Sequence, residues 1–186
     1  ITQSDEDSSV PRWTISYENL KGASNPNPTK YDEGSEVAFL PLTGVTGYTF
    51  TGWTPSSISA SDTGDKVVRA NWVANNYTLK FDANGGFGEM PDQLMTYGMV
   101  TAIADNTFTR LGYQFAGWKL ELSGDAVFAD RALVMNLSSI PDGVVRLYAA
   151  WTPVAYNISY EDTKGAMNSN PSNYTIEDTV TFSPLA

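Results

Sequence analysis

The side chains that carry most enzyme chemistry are missing. The chain of 186 residues has no histidine and no cysteine. That excludes imidazole bases, thiolate nucleophiles, disulfides and thiolate zinc sites. Oxygen and amine chemistry is what remains. Serines are common, and a Ser–Lys dyad is the nucleophile–base pair the composition still permits. The acidic run "SDEDSS" at 4–9 offers oxygen ligands of the kind Ca²⁺ takes, but without the glycine and spacing of an EF-hand loop. A solvated acidic linker is the simpler account. "DANGG" at 82–86 also presents oxygens, yet Asn-Gly is the strongest short hairpin signal, so it reads as a hairpin turn. "GGFG" at 85–88 is no phosphate loop, because neither a lysine nor a helix start follows in frame. Lys21 and Lys80 are the amines considered for an internal Lys–Asn crosslink. The sequence therefore reads as non-catalytic, with no metal site and no cofactor. If it binds anything, the weak candidates are rings with the poorest claim to a core: Tyr31, Tyr97 and Tyr148. Exposed together in a concave patch, they would suit a glycan or a protein.

The elements that would position these residues come in repeats. "GYTFTGW" runs from Gly47 to Trp53, and "GYQFAGW" from Gly112 to Trp118. Three segments alternate alike: "WTISYE" from Trp13, "YTLKFD" from Tyr77 and "YNISYE" from Tyr156. In each, aromatic and aliphatic residues occupy every second place, the pattern of a half-buried strand. A glycine turn follows each one, at Gly22, at Gly85-Gly86 and at Gly165. "SYENLKGASNPNPTKY" and "SYEDTKGAMNSNPSNY" align without a gap, whereas the middle copy diverges to "FDANGGFGEMPDQLMTYG". The order is type A, type B, type A. Closing strands end at Trp72 in "VVRANW" and at Trp151 in "VRLYAAW". Only Val73–Asn76 and Thr152–Ala155 separate a closing strand from the next opening one. Connections that short predict a semi-rigid row of units.

Within the heptapeptide, Tyr48 and Phe50 share a face, and strict alternation would put Trp53 on the other. Gly52 stands just before it. A glycine inside a strand signals a bulge, which resets the facing and returns Trp53, and likewise Trp118 after Gly117, to the core. The rings are then the interior of small units. A unit of about 60 residues buries only about 60% of its unfolded surface, so large rings and neighbour contacts must support it. Type B carries an insertion, "DAVFADRALVMNLSSIPDG". Ala126, Ala129, Leu133 and Leu137 lie near a 3.6-residue period there, and Pro141 and Gly143 would stop a short helix.

Composition narrows the partners. The net charge is −10, with a sequence pI near 4.3. Such a field repels phosphate backbones and anionic membranes, which excludes broad basic-patch binding to nucleic acid. The apolar runs are too short to cross a bilayer. The acidic start "ITQSDEDSSV" is wrong for a secretory leader, so the chain reads as an internal or mature piece of a longer array. Expected boundaries are 1–12 for an acidic linker or the end of a preceding unit, 13–74 for a type A unit, 75–153 for type B with its insertion, and 154–186 for the front half of another type A unit. Half a unit cannot bury its apolar face alone.

"YTLKFDANGG", "MTYG", "GYQFAGW" and "VRLYAAW" occur between Tyr77 and Trp151 in the order of the Listeria–Bacteroides repeat, also called the internalin B-repeat, and the segment resembles that family. Trp13–Trp72 fits more loosely, with no double glycine and with "RANW" as its closing strand. From Tyr156 on, only the front half is similar. The resemblance implies a mainly β to α+β, β-grasp-like unit: a small mixed sheet with a short helix or turn. It also implies tandem arrays on bacterial surface or secreted proteins, and no catalytic residues. The resulting expectation is an extracellular, non-enzymatic stalk that presents another domain, its partners being neighbouring repeats of the same chain. The alternative is an adhesion module that binds a glycan or protein through exposed aromatics.

Overall fold

The opening alternation does build a strand. In a computed structural model that describes residues 10–186, β1 (Arg12–Glu18) buries Ile15 and half-buries Trp13 and Tyr17, while Thr14, Ser16 and Glu18 face out. The first unit continues with β2 (Lys30–Asp32), β3 (Val37–Ala38), β4 (Tyr48–Thr54), β5 (Ser57–Ile58) and β6 (Lys66–Ala74). Its sheet order is β2-β1-β6-β4. The first and last strands pair in parallel at the centre, with antiparallel neighbours on both flanks. A small ribbon, β3 with β5, closes over the core face.

The second unit repeats this plan with β7 (Asn76–Asp82), β8 (Gln93–Thr96), β9 (Thr101–Ala102), β10 (Tyr113–Lys119), β11 (Leu133–Val134) and β12 (Gly143–Pro153). Its order is β10-β12-β7-β8, again around a parallel central pair, with β9–β11 as the ribbon. The tail contributes only β13 (Tyr156–Asn157) and β14 (Asn173–Tyr174). The chain is thus mainly β, with two small mixed sheets in repeat.

Each full unit has its own core. Ile15, Tyr31, Leu42, Trp53, Ile58, Val68 and Ala70 fill the first. Tyr77, Leu79, Met95, Ile103, Phe108, Trp118 and Leu147 lead the second. The bulge sits where Gly52 predicts it: the β4–β6 register slips between Phe50 and Gly52, and β10–β12 slips between Phe115 and Gly117. Trp53 and Trp118 therefore return to the core face, 7% and 0% exposed. Phe50, Tyr17 and Phe39 surround Trp53 with ring centroids 5.2, 5.4 and 5.9 Å away. Phe81 and Phe115 each lie 5.0 Å from Trp118.

Two expectations need correction. No helix forms in the type B insertion. Arg131 and Asn136 hold left-handed backbone, φ 57° and 59°, which a right-handed helix cannot include. Leu133 and Val134 pair with β9 instead, leaving Leu133 73% exposed and Val134 6% exposed. Sheet pairing overrides the local 3.6-residue pattern, whose supposed stripe residues Ala126 and Ala129 are exposed as well. The second correction concerns "DANGG". Asn84 and Gly85 do make a tight left-handed turn closed by Gly86 N donating to Ala83 O at 2.9 Å. It is not a two-residue hairpin, because β8 pairs back onto β7 only from Gln93. The turn opens a loop in which Phe87 bridges to Thr109.

Candidate functional site

The chemistry-bearing residues do not converge. Lys80 Nζ pairs with Asp92 Oδ2 at 2.9 Å on an exposed surface. Lys21 Nζ stands 4.3 Å over the Tyr48 ring. Asp82 Oδ1 accepts the Asn84 N–H at 2.9 Å, fixing the turn. "SDEDSS" at 4–9 lies outside the described residues. One serine–lysine cluster went unnoticed in the sequence. Ser59 Oγ donates to Asp62 Oδ2 at 2.9 Å, and Lys66 Nζ reaches Asp62 Oδ1 at 2.8 Å. The Lys66 bond and the Ser59 bonds pull the Asp62 carboxyl down to about 2. The same bond raises Lys66. A lysine held protonated is no general base, so this cluster ties a turn instead of activating a serine. A Ser-x-x-Asp spacing before a lysine was the available signal.

The candidate rings also disperse. Tyr31 is core, 3% exposed, with its hydroxyl donating to Gly64 O at 2.6 Å. Tyr148 is half-buried in mid-sheet, between Lys119 on β10 and Asp82 on β7. Tyr97 is half-buried too, but in a place that draws several residues together: the joint between units.

That joint is built from the first two residues of the heptapeptide. Gly47 and Tyr48 open β4 at the end of the sheet, where β6 passes into β7 through Asn75. Tyr97 follows β8 and lies edge-on against Tyr48, ring centroids 5.7 Å apart at 75°. A Cβ on Gly47 would collide with the Tyr97 ring. Asn75, 7% exposed, ties both units. Its N–H donates to Gly47 O at 2.8 Å, and its carbonyl accepts the Tyr97 N–H at 2.9 Å. Its Oδ1 accepts from Thr49 Oγ1 at 2.7 Å, and its Nδ2 donates to Ser139 O at 2.8 Å. A buried asparagine with all four of these groups paired is a positional lock, because each lost partner would leave a desolvated polar group.

The next boundary reuses the device with different side chains. Val154 N donates to Gly112 O at 2.9 Å, in the role of Asn75. Tyr77 pairs with Met95, and Tyr156 with Tyr174, so Tyr97 and Ile176 hold the same place two residues on. Ile176 packs where a Cβ on Gly112 would meet its Cδ1 at 2.7 Å. Tyr113, the partner of Tyr48, donates its hydroxyl to Glu177 Oε1 at 2.9 Å. That bond, more than desolvation, raises the phenol above its ordinary value.

Two mixed sheets of one strand order, each opening with the same alternation and joined by a shared device, define a tandem-repeat β protein. The Listeria–Bacteroides repeat domain matches twice, over residues 13–72 and 77–149, and the chain belongs to that family. It is also similar to a putative Gly-rich membrane protein of Evansella cellulosilytica, 25% identical over 179 residues, covering 84% of this chain. The chain spans only 20% of that relative's length. Among solved structures, domains 3–4 of the Streptococcal High Identity Repeats in Tandem from a cell surface protein align over 77% of this chain and 99% of theirs, at 14% identity and a TM-score of 0.24.

Proposed function

We propose that this chain is a non-catalytic, semi-rigid spacer within a bacterial cell-surface or secreted protein, where it holds another domain away from the envelope. Its units would be 13–74 and 75–153, with 154–186 beginning a third. The observation that carries the reading is the recurrence of the joint. At both boundaries a Gly-Tyr pair receives a side chain from the following unit, and a linker amide returns to the glycine carbonyl. A linker locked at both faces removes the free hinge that would let units tumble. Family membership and the membrane-protein relative support the surface setting. The distribution of the tyrosines supports a spacer over an adhesion platform: Tyr31 is core, Tyr97 is in the joint, and Tyr148 is half-buried in the sheet.

The test uses the absence of cysteine. Ser56→Cys and Gln114→Cys place one spin label on each unit at exposed sites. The expected distance distribution is narrow and broadens when four Gly/Ser residues are inserted between Ala74 and Asn75. A native distribution as broad as the inserted one refutes the spacer. Micromolar binding of the native chain on a glycan and protein array would establish the adhesion alternative in its place.

A further inference from the structure

Tension applied through the chain enters and leaves each full unit by its central strand pair. In the first unit the chain enters β1 at Arg12 and leaves β6 at Ala74; in the second it enters β7 at Asn76 and leaves β12 at Pro153. These are the strands that pair in parallel. In a parallel pair, the start of one strand and the end of the other lie at opposite ends of the ladder. Pulling on those two points slides the strands past each other, so all the bonds between them carry the load at once. A pull on two points at the same end would instead peel the bonds apart one after another. The ladder aligns four residue pairs in the first unit, Ile15–Glu18 beside Lys66–Arg69, and six in the second, Tyr77–Asp82 beside Gly143–Tyr148.

Both ladders are tied at both ends. At the entry end, Thr14 N donates to Asp65 Oδ1 at 2.7 Å in the first unit, and Asp142 N donates to Asn76 O at 2.9 Å in the second. At the far end an asparagine and a tryptophan cross between the two strands' extensions. Asn19 Nδ2 donates to Ala70 O at 2.7 Å, and Trp72 Nε1 donates back to Asn19 O at 2.8 Å. Asn84 Nδ2 donates to Ala149 O at 2.8 Å, and Trp151 Nε1 donates back to Ala83 O at 2.9 Å. Both asparagines hold left-handed backbone, φ 58° and 47°. The turns around them differ: Asn19 follows Glu18 directly, whereas Ala83 stands between Asp82 and Asn84. The clasp is rebuilt across that difference, with a neighbouring carbonyl taking the indole bond.

We propose that the parallel pair and its Asn–Trp clasp form a shear clamp in each unit, and that the chain bears tension as well as setting a distance. The proposal extends the spacer reading, since a spacer between an envelope and a presented domain is pulled through these same two points of each unit. The type B unit is the stronger clamp. Its ladder is longer, and its entry tie joins backbone to backbone where the first unit relies on the Asp65 side chain.

The assay is single-molecule force spectroscopy on the full chain, held at its two ends. The first unit should rupture before the second. The two are told apart by length, because the second releases about 15 more residues and so about 50 Å more chain. Moving the second handle to Ile140→Cys, an exposed site just before β12, puts both attachments of the second unit at the same end of its ladder. That unit should then rupture at less than about half its end-to-end force, because the bonds peel singly. The first unit is loaded as before and serves as the standard. Asn84→Gly keeps the left-handed turn and removes the clasp amide. It should speed end-to-end rupture of the second unit about fivefold at a given force, with no change in the Ile140 geometry, where peeling starts at the other end. Equal forces in the two geometries overturn the clamp. So does a first unit that outlasts the second end to end, or an Asn84→Gly effect of equal size in both geometries. The spin-label distance reports the joint and the forces report the ladders, so weak ladders with a narrow distance distribution remove the clamp and leave the spacer.

Discussion

Replacing Gly47 by alanine should damage the joint more than the backbone, and a neighbouring glycine provides the comparison. Gly44 and Gly47 both hold left-handed backbone, φ 81° and 76°. An alanine in that region costs about 1–2 kcal/mol at either site. A Cβ at Gly44 meets nothing within 4 Å, whereas one at Gly47 runs into the Tyr97 ring. Gly47→Ala must therefore also displace Tyr97. That forfeits the Tyr48–Tyr97 ring pair, roughly 0.5–1.5 kcal/mol, and strains the Tyr97 N–H bond to Asn75 O, roughly another 0.5–1.5 kcal/mol. The excess over Gly44→Ala should be about 1–3 kcal/mol and should fall at the boundary. Joined units need not melt as one transition, so unit-resolved hydrogen exchange is the suitable assay, with the Asn75 and Tyr97 amides as reporters. Tyr97→Ala completes a double-mutant cycle. Once the ring is displaced its removal costs little, so the coupling should be about 1 kcal/mol. Equal costs at Gly44 and Gly47, or an additive cycle, would refute the assignment of Gly47 to the joint.

Further outcomes follow from single groups. Desolvation raises the Tyr17 phenol to about 12; the folded state favours its neutral form, so the contribution is complete below the unfolded value near 10 and is lost as pH rises toward 12. Ultraviolet titration should show a late-ionising component that shrinks in Tyr17→Phe, with the Tyr113 phenol, raised by Glu177, left in it. Asp62 is lowered to about 2; its contribution is present above the unfolded carboxyl value of about 3.8 and is lost as pH falls through 2, so Asp62→Asn should flatten the acid limb of first-unit stability. Trp53→Phe breaks a bond to Leu40 O, whereas Trp118→Phe removes a buried indole N–H that has no partner. The exposure difference between these rings is worth only about 0.5 kcal/mol, so Trp118→Phe should be the milder change by about 1–3 kcal/mol in unit-resolved unfolding.

The strands were legible where alternation and glycine spacing act locally. The opening strands, the bulge before Trp53 and the return of that ring to the core all follow from period two interrupted by one glycine. The β11 segment was not legible, because Leu133–Val134 belongs to two patterns at once. Its helical spacing is local, and its partner β9 is about thirty residues away in sequence. The joint was hidden for a related reason. Asn75 reads as an ordinary linker residue, and Tyr97 as a poor core ring, until both are placed beside Gly47. Their role lies between units, and sequence periodicity reports only what happens within one.

The repeated heptapeptide therefore performs two tasks along its length. Its last residues, Phe50, Gly52 and Trp53, act inside a unit: bulge, ring cluster, core. Its first two, Gly47 and Tyr48, act on the following unit, the glycine by admitting a side chain and the tyrosine by packing beside it. The second copy separates these tasks chemically. Phe115, Gly117 and Trp118 keep the interior arrangement. Gly112 and Tyr113 keep the socket but receive Ile176 and Glu177 in place of a second tyrosine ring. A ring-on-ring contact is replaced by an aliphatic contact plus a hydrogen bond to a carboxylate, while the glycine is kept. What the joint requires is thus the missing Cβ and the linker amide, and the inserted side chain is free to vary with the neighbour it comes from.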